Sequence, residues 1–490
     1  MAYSNNAVKR TADERPVNTT VDVSLWLLLL LALFSLAGLW LIVFAPLLTR
    51  TFYRRRERAI RRLDEQLGFG LSNYVLAKRS EWLDRLLNDT VVVAAIAATV
   101  ATGEGTQEAV RLRARVYVEE IVPSFSTLLY FRVGYWLARW TLRTLYWIRA
   151  EYEDRDALGG IGRDCCVVLV SNHRSNIDPL LLIYLASKRA VISYSAGEWA
   201  LVWPLRHLVH AIGCYIVRRD GGGDRLYRVL LERYVFLAAA HCVPQGLFLE
   251  GGLSRDGALQ PLKLGLLSYV LRALNHDRCR DIVFVPVGLG YDRIPEDRTL
   301  LAHREQGFRG KNRLYSLAAF LRFSVLMMPR MIGLGQPFGQ AVANFGRPLS
   351  LVQWQAERGC LVDDDDPLLR RQHVTRLGED LKGRIAALIP ALPISLVAEV
   401  LLAEGSGGLA ELELKQRALS RAAALRLAGV PVIITSNGED YAFSQALLLL
   451  LKRRAIELGV DGRLRITAAG MPLLEYYRNA IPRLMHDERH

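Results

Sequence analysis

From about residue 160 the chain alternates short β-rich runs with helical stretches, and this alternation constrains the fold more than any other feature. The runs are Cys165–Val170, Val191–Tyr194, Cys214–Val217, Leu247–Leu249, Ile282–Val287 and Gln340–Asn344. Strands that alternate with helices predict an α/β layer with a largely buried sheet flanked by helices. Gly221-Gly222-Gly223-Asp224 reads as a loop and N-cap before a helix over about 225–241. With 490 residues the chain is too long for one ordinary core. We expect an N-terminal tail and transmembrane helix over 1–49 and a helical, membrane-proximal region over 50–150. An α/β domain over 151–400 and a helix-rich C-terminal addition over 401–490 follow, the latter with one β-like run, Val430–Thr435.

Val23 to Thr49 contains no charged residue. About 20 apolar residues span the hydrocarbon as a helix, so this run is long enough. Trp26 and Trp40 suit headgroup depth, Trp40 less well. The run is long for a signal peptide, and no clear small-x-small cleavage site follows. Arg50, Arg54, Arg55, Arg56, Arg58, Arg61 and Arg62 come after it, against Lys9, Arg10 and Arg15 before it. That bias predicts a single-pass protein of the inner membrane with its C-terminal part in the cytoplasm. The cluster also suits anionic membrane lipids, at about 1 kcal/mol per basic residue near the surface, although a plain stop-transfer flank explains it equally well.

The same reading covers the net charge of +14 (63 basic less 49 acidic residues). Nucleic acid is not expected, because there is no zinc finger, RNP-like aromatic motif or basic zipper. Six cysteines without a CxxC pair read as reduced thiols. Three further stretches have an apolar character. Val91–Val100 is too short to span and reads as a buried or re-entrant helix. Leu128–Trp147 mixes Trp, Tyr and Leu with Arg132, Arg139, Arg143 and, just beyond it, Arg149, which suits a helix against a core or a membrane. Ser316–Met328 reads as a helical apolar run broken by Arg322 and suits a membrane-dipping surface.

The sharpest chemical signal is Ser171-Asn172-His173-Arg174-Ser175-Asn176-Ile177-Asp178-Pro179. It places His173 at the end of a predicted strand and Asp178 at the start of a helix, where sites of open α/β sheets often lie. A carboxylate five residues on can fold back to the imidazole, fix its tautomer and leave the other nitrogen to take a proton. The competing role for Asp178 is an N-cap ahead of an N1 proline. The second signal is Phe248-Leu249-Glu250-Gly251-Gly252-Leu253-Ser254-Arg255. Its glycines let backbone N–H groups approach an anion, and Arg255 can hold a phosphate. Arg218-Arg219 and Lys263 are weaker cationic candidates. Pro286 inside a strong β run predicts an edge or a strand end.

Four blocks in order carry a resemblance: His173-Arg-Ser-x-x-Asp178, Gly213-x-Tyr-Ile-x-Arg218-Arg219, Phe248-x-Glu-Gly-Gly-x-Ser-Arg255 and Val285-Pro286-Val287. Together they resemble the glycerolipid acyltransferases with an HX4D motif. The forms of the first and third blocks are similar to the glycerol-3-phosphate acyltransferase branch. So are Asn344-Phe345-Gly346-x-Pro348-Leu349, Pro393-Ile-Ser-Leu-Val397 and Tyr476-Tyr477-Arg478-Asn479. The resemblance covers about residues 120–485. Asn176 and Leu253 depart from it, standing where His or Met and Arg are common.

The resemblance implies an acyltransferase-like α/β sheet and transfer of a fatty acyl group to the sn-1 hydroxyl of glycerol 3-phosphate. The donor is an acyl thioester, on coenzyme A or acyl carrier protein, and no cofactor or metal is expected. His173 is the expected base and Asp178 its partner. Arg255, with Arg174 and Arg219 or Lys263, is expected to grip the acceptor phosphate; Arg218, Ser175, Gly251 and Gly252 join the substrate-binding set. Glu250 and Ser254 are expected to shape that pocket, and Pro286 to pack the acyl-donor side. His207 and His210 read as ordinary helix residues. The rivals are another acceptor (lysophosphatidate, dihydroxyacetone phosphate or another lipid hydroxyl) and an inactive membrane-tethered binding protein.

Overall fold

The run Cys165-Cys166-Val167-Val168-Leu169-Val170 becomes a central strand because it has no strongly polar side chain to turn toward water on either face. The computed structural model describes residues 79–481, apart from 126–129, 131–133, 187–191, 202–204, 219–222, 275, 277, 307–336 and 436–437. The expected membrane span, its arginine cluster, the 316–328 run and Arg219 therefore lie outside the described residues. Among the described residues no helix is long and apolar enough to cross a membrane.

The larger sheet contains β1 (Trp147–Tyr152), β2 (Cys165–Ser171), β3 (Ser193–Gly197), β4 (Tyr215–Val217), β5 (Gln245–Phe248), β6 (Asp281–Tyr291), β7 (Gln340–Phe345) and β8 (Leu349–Ser350). Its order is β1-β7-β6-β2-β5-β3-β4, with β8 also on β6. Strands β6, β2, β5, β3 and β4 are parallel, whereas β7 runs antiparallel to β6 and carries β1 parallel to itself. Helices flank this sheet, so the architecture is α/β. The parallel strands share one carboxyl edge, and His173 leaves β2 there.

Packing explains the flanking helices. Asp224 caps the helix Arg225–Ala240, accepting from the N–H groups of Leu226 and Tyr227 at 2.9 and 3.2 Å. This helix buries Leu230, Tyr234, Val235 and Ala238 in one core with Cys166, Val168, Val170 and Phe284 of the sheet. The long helix Pro367–Leu388 adds Leu377, Leu381 and Ile385 to that core. Asp366, the last of four consecutive aspartates from Asp363, caps it, with Pro367 in its first turn. Val91–Val100 is helical within Thr90–Ala101, with Val92 and Ile96 buried and Val91 and Val93 exposed.

Several expectations are corrected. Region 50–150 contains a strand, β1, as well as helices. Val430–Thr435 forms no strand and makes only an isolated bridge from Val432 to Ala391. The C-terminal region has its own small sheet of β9 (Leu409–Ala410), β10 (Ile456–Leu458) and β11 (Arg463–Ile466). Pro286 sits in the middle of β6, opposite Val170, and not at an edge. Its position is tolerated because the partner of β6 changes there. β8 pairs with Val283 and Phe284, and β7 pairs from Val287 onward. The Pro286 carbonyl accepts from Gly346 N–H at 2.9 Å on that side, so the missing N–H faces the gap between β8 and β7.

Candidate active site

The loop after β2 is organised by one carboxylate. Asp178 is the first residue of the helix Asp178–Ala186, and its side chain is fully buried. Its Oδ2 accepts from the backbone N–H groups of Arg174 at 2.7 Å and Ser175 at 2.9 Å, and lies 2.9 Å from His173 Nδ1. Its Oδ1 accepts from the Tyr291 hydroxyl at 2.7 Å. The carboxylate thus turns back into the loop and does not cap the helix it opens. Burial, and then the Asp178 charge, push the Tyr291 phenol well above its ordinary range, which keeps it a donor.

His173 is held from several sides. Its ring stacks on Phe248, with centroids 3.9 Å apart and planes 15° apart. Its backbone N–H donates to Glu250 Oε1 at 2.9 Å, and its carbonyl accepts from Ser254 N–H at 3.0 Å. Its side chain remains 15% exposed, so the imidazole sits at a surface accessible to a substrate. With Nδ1–H donating to Asp178, Nε2 presents a lone pair and can accept a proton.

The loop after β5 closes against this group. Glu250 Oε2 accepts from Gln260 N–H at 2.9 Å, so one buried side chain ties both loops together. Burial pushes its carboxyl up, opposed by those two N–H donors and by Arg174. Gly251 has φ +61°, and a Cβ there would stand 2.7 Å from Lys263 Cδ. The stem of Lys263 therefore runs along the glycine, and its side chain is exposed. The Ser254 hydroxyl is turned inward: it donates to the Ala258 carbonyl at 2.7 Å and accepts from Gly257 N–H at 3.0 Å. Gly252 lies on the same loop, half-buried, and Arg255 is exposed beyond it.

Other expected binding residues are placed differently. Arg174 is buried, donates to the Gly257 carbonyl and lies over the Tyr476 ring at 5.0 Å. The Ser175 hydroxyl donates to Glu296 Oε2 at 2.8 Å, and Asn176 also binds Glu296. Arg218 forms a two-point ion pair with Glu120, at 2.6 and 2.5 Å, between the rings of Tyr117 and Tyr227. Hydrogen bonding to Glu120 raises its pKa further. Arg218 follows β4, three strands from β2, which is about 14 Å at ordinary strand spacing. Pro286 is buried in the sheet. His207 is exposed and His210 buried on the helix Leu205–Ala211. Among the described residues no three His, Cys, Asp or Glu side chains are grouped to hold a metal.

Tyr291 and Glu296 support the site without having been singled out in the sequence, and Phe248 and Asn172, quoted there within motifs, were given no role of their own. Asn172 pairs with the backbone of Leu289 on β6, giving and accepting at 2.9 and 2.8 Å. The Tyr476-Tyr477-Arg478-Asn479 block also finds its place. Tyr476 underlies Arg174, and Tyr477 donates to Asp297 at 2.7 Å. Asn479 donates to the Asp256 carbonyl at 3.0 Å. The C-terminal helix Met471–Arg478 is thereby a brace for both site loops.

The sheet edge with its imidazole–carboxylate pair falls in a segment, residues 161–290, that matches the family model described as Acyltransferase; this sets the class. Residues 327–488 match the model for the glycerol-3-phosphate acyltransferase C-terminal region. The glycerol-3-phosphate acyltransferase of Pseudomonas putida (strain GB-1) is 30% identical over 330 residues, 64% of this chain and 38% of the relative. That of Ectopseudomonas mendocina (strain ymp) is 26% identical over 426 residues, 83% of this chain and 49% of the relative. The chain belongs to the glycerol-3-phosphate acyltransferase family, and it spans less than half the length of these two relatives. The 1-acyl-sn-glycerophosphate (LPA) acyltransferase PlsC from Thermotoga maritima aligns with 51% of this chain and 80% of its own, at 15% identity and a TM-score of 0.28.

Proposed function

We propose that the protein transfers a fatty acyl group from an acyl thioester to the sn-1 hydroxyl of glycerol 3-phosphate, giving lysophosphatidate. The observation that carries this reading is the 2.9 Å contact between His173 Nδ1 and Asp178 Oδ2 at a partly open sheet edge. His173 Nε2 takes the proton of the acceptor hydroxyl, and Asp178 stabilises the imidazolium that forms. The resulting oxygen nucleophile attacks the thioester carbonyl carbon. The C–S bond then breaks, and the thiolate leaves and recovers the proton from the imidazolium. A thiolate leaves readily, so the step needs no acyl-enzyme.

Arg255 and Lys263, exposed on the loop beside His173, are the cations we assign to the acceptor phosphate. Arg174 and Arg218 act as struts instead, because Arg174 is buried on the Gly257 carbonyl and Arg218 is paired with the buried Glu120. In this reading residues 151–400 carry the chemistry and 401–490 brace it. The uncharged run Val23–Thr49 and its arginine flank hold the chain at the cytoplasmic face of the inner membrane, beside anionic lipids. Coenzyme A and acyl carrier protein both offer the required thioester.

The test is product analysis. Purified protein receives a labelled acyl thioester and a mixture of glycerol 3-phosphate, dihydroxyacetone phosphate and lysophosphatidate. Mass spectrometry should find labelled lysophosphatidate as the main product. Label in another acceptor, with glycerol 3-phosphate unconsumed, refutes the substrate assignment.

A further inference from the structure

The helix Tyr135–Leu145 has two contrasting faces. Ala138, Leu142 and Leu145 are buried. On the other face Trp136 is 60% exposed and Trp140 36% exposed. Their rings stack, with centroids 5.8 Å apart and planes 9° apart. Arg139 and Arg143, also exposed, lie on the same stripe, because residues three and four apart share a helix face. No Asp or Glu occurs between Glu120 and Glu151, whereas Arg132, Arg139, Arg143 and Arg149 do. A stacked tryptophan pair left in water marks an interaction surface.

We propose that this stripe docks on an anionic phospholipid bilayer. The tryptophans enter the headgroup level, where an apolar ring with one polar edge is most stable. The arginines bind lipid phosphate, which answers the absence of any acid on the stripe. A bilayer satisfies both residue types along the whole helix at once. The helix also connects to the site: Tyr135 stacks on Tyr184 of the helix Asp178–Ala186, with centroids 5.7 Å and planes 15° apart. Docking therefore fixes the orientation of the helix that starts with Asp178 against the lipid surface. This purpose rests on the acyl-transfer reading above, whereas the docking itself does not.

The experiment uses the full chain in vesicles of phosphatidylcholine, with or without phosphatidylglycerol, whose lipids carry bromine high on the acyl chains to quench tryptophan. Trp136→Phe/Trp140→Phe should show a clearly smaller quenched fraction of its emission than the native chain. Arg139→Gln/Arg143→Gln should lose quenching only where phosphatidylglycerol is present. Both variants should keep native unfolding curves and native turnover in detergent. Equal quenched fractions in all three proteins overturn the proposal, as does quenching indifferent to lipid charge. A change of sedimentation mass in the variants, with quenching unaltered, overturns it in favour of a protein interface. Loss of acyl transfer with docking intact would instead count against the functional reading.

Discussion

Two pairs of cations in this molecule look interchangeable on paper and are placed in opposite ways. Arg174 and Arg218 sit in motif blocks, yet the first is buried against Gly257 and Tyr476 and the second is pinned on Glu120. Arg255 and Lys263 come from the glycine-bearing loop and its continuation, and both are exposed. A guanidinium committed to a buried partner cannot also bind a diffusing phosphate without breaking that contact. The difference teaches that residue type nominates a phosphate ligand, and burial of the cation or of the partner that already holds it argues against the nomination.

The largest effect expected from this contrast is on stability. Arg174→Ala strips a charged hydrogen bond from the Gly257 carbonyl and a cation from the Tyr476 ring, at a cost of about 3 kcal/mol. Urea unfolding should register the loss. Unchanged stability with a raised KM for glycerol 3-phosphate would place Arg174 on the acceptor and break the comparison. Next, Arg255→Gln or Lys263→Gln should raise that KM about tenfold, near 1.4 kcal/mol, with unfolding unaltered. A stability loss without a KM change would make them struts too.

A smaller effect is expected where the strut is a hydroxyl. Tyr291→Phe removes one donor from Asp178 and should lower kcat about fivefold, near 1 kcal/mol, with KM unchanged. The smallest effect concerns acid. Burial first, and then Arg79 and Arg206, lower the pKa of His210, on the helix ahead of β4, to about 4. Between pH 6.5 and 4 the unfolded chain binds a proton there that the folded chain refuses, so stability falls as pH falls. From pH 7 to pH 6 this group contributes a loss of less than about 1 kcal/mol. His210→Phe should flatten the slope in thermal unfolding, and an identical slope would remove His210 as its source.

Much of the frame was legible. Strands β2, β5, β6 and β7 are apolar runs buried on both faces, and the helix after Asp224 announces its own cap. Strand β1 was not, because Trp147-Ile-Arg-Ala-Glu-Tyr152 is half-exposed at a sheet edge and carries charges. Val430–Thr435 misled for the opposite reason: it has the residues of a strand but finds no neighbour to pair with beyond one bridge. The His173–Asp178 pair was readable because five residues of loop join its members. The partner Tyr291 was not, nor was the contact of Tyr476 with Arg174, since contacts across more than a hundred residues leave no local pattern. The burial of Arg174 and the pairing of Arg218 with Glu120 were not legible, because a sequence displays neither burial nor distant partners.

The account stands on His173 as the group that accepts the hydroxyl proton. Turnover of glycerol 3-phosphate by His173→Ala, measured beside its unfolding curve, tests this most directly. We predict a native unfolding curve with kcat lower by about 10²-fold or more. A folded variant that turns over at close to the native rate would contradict it.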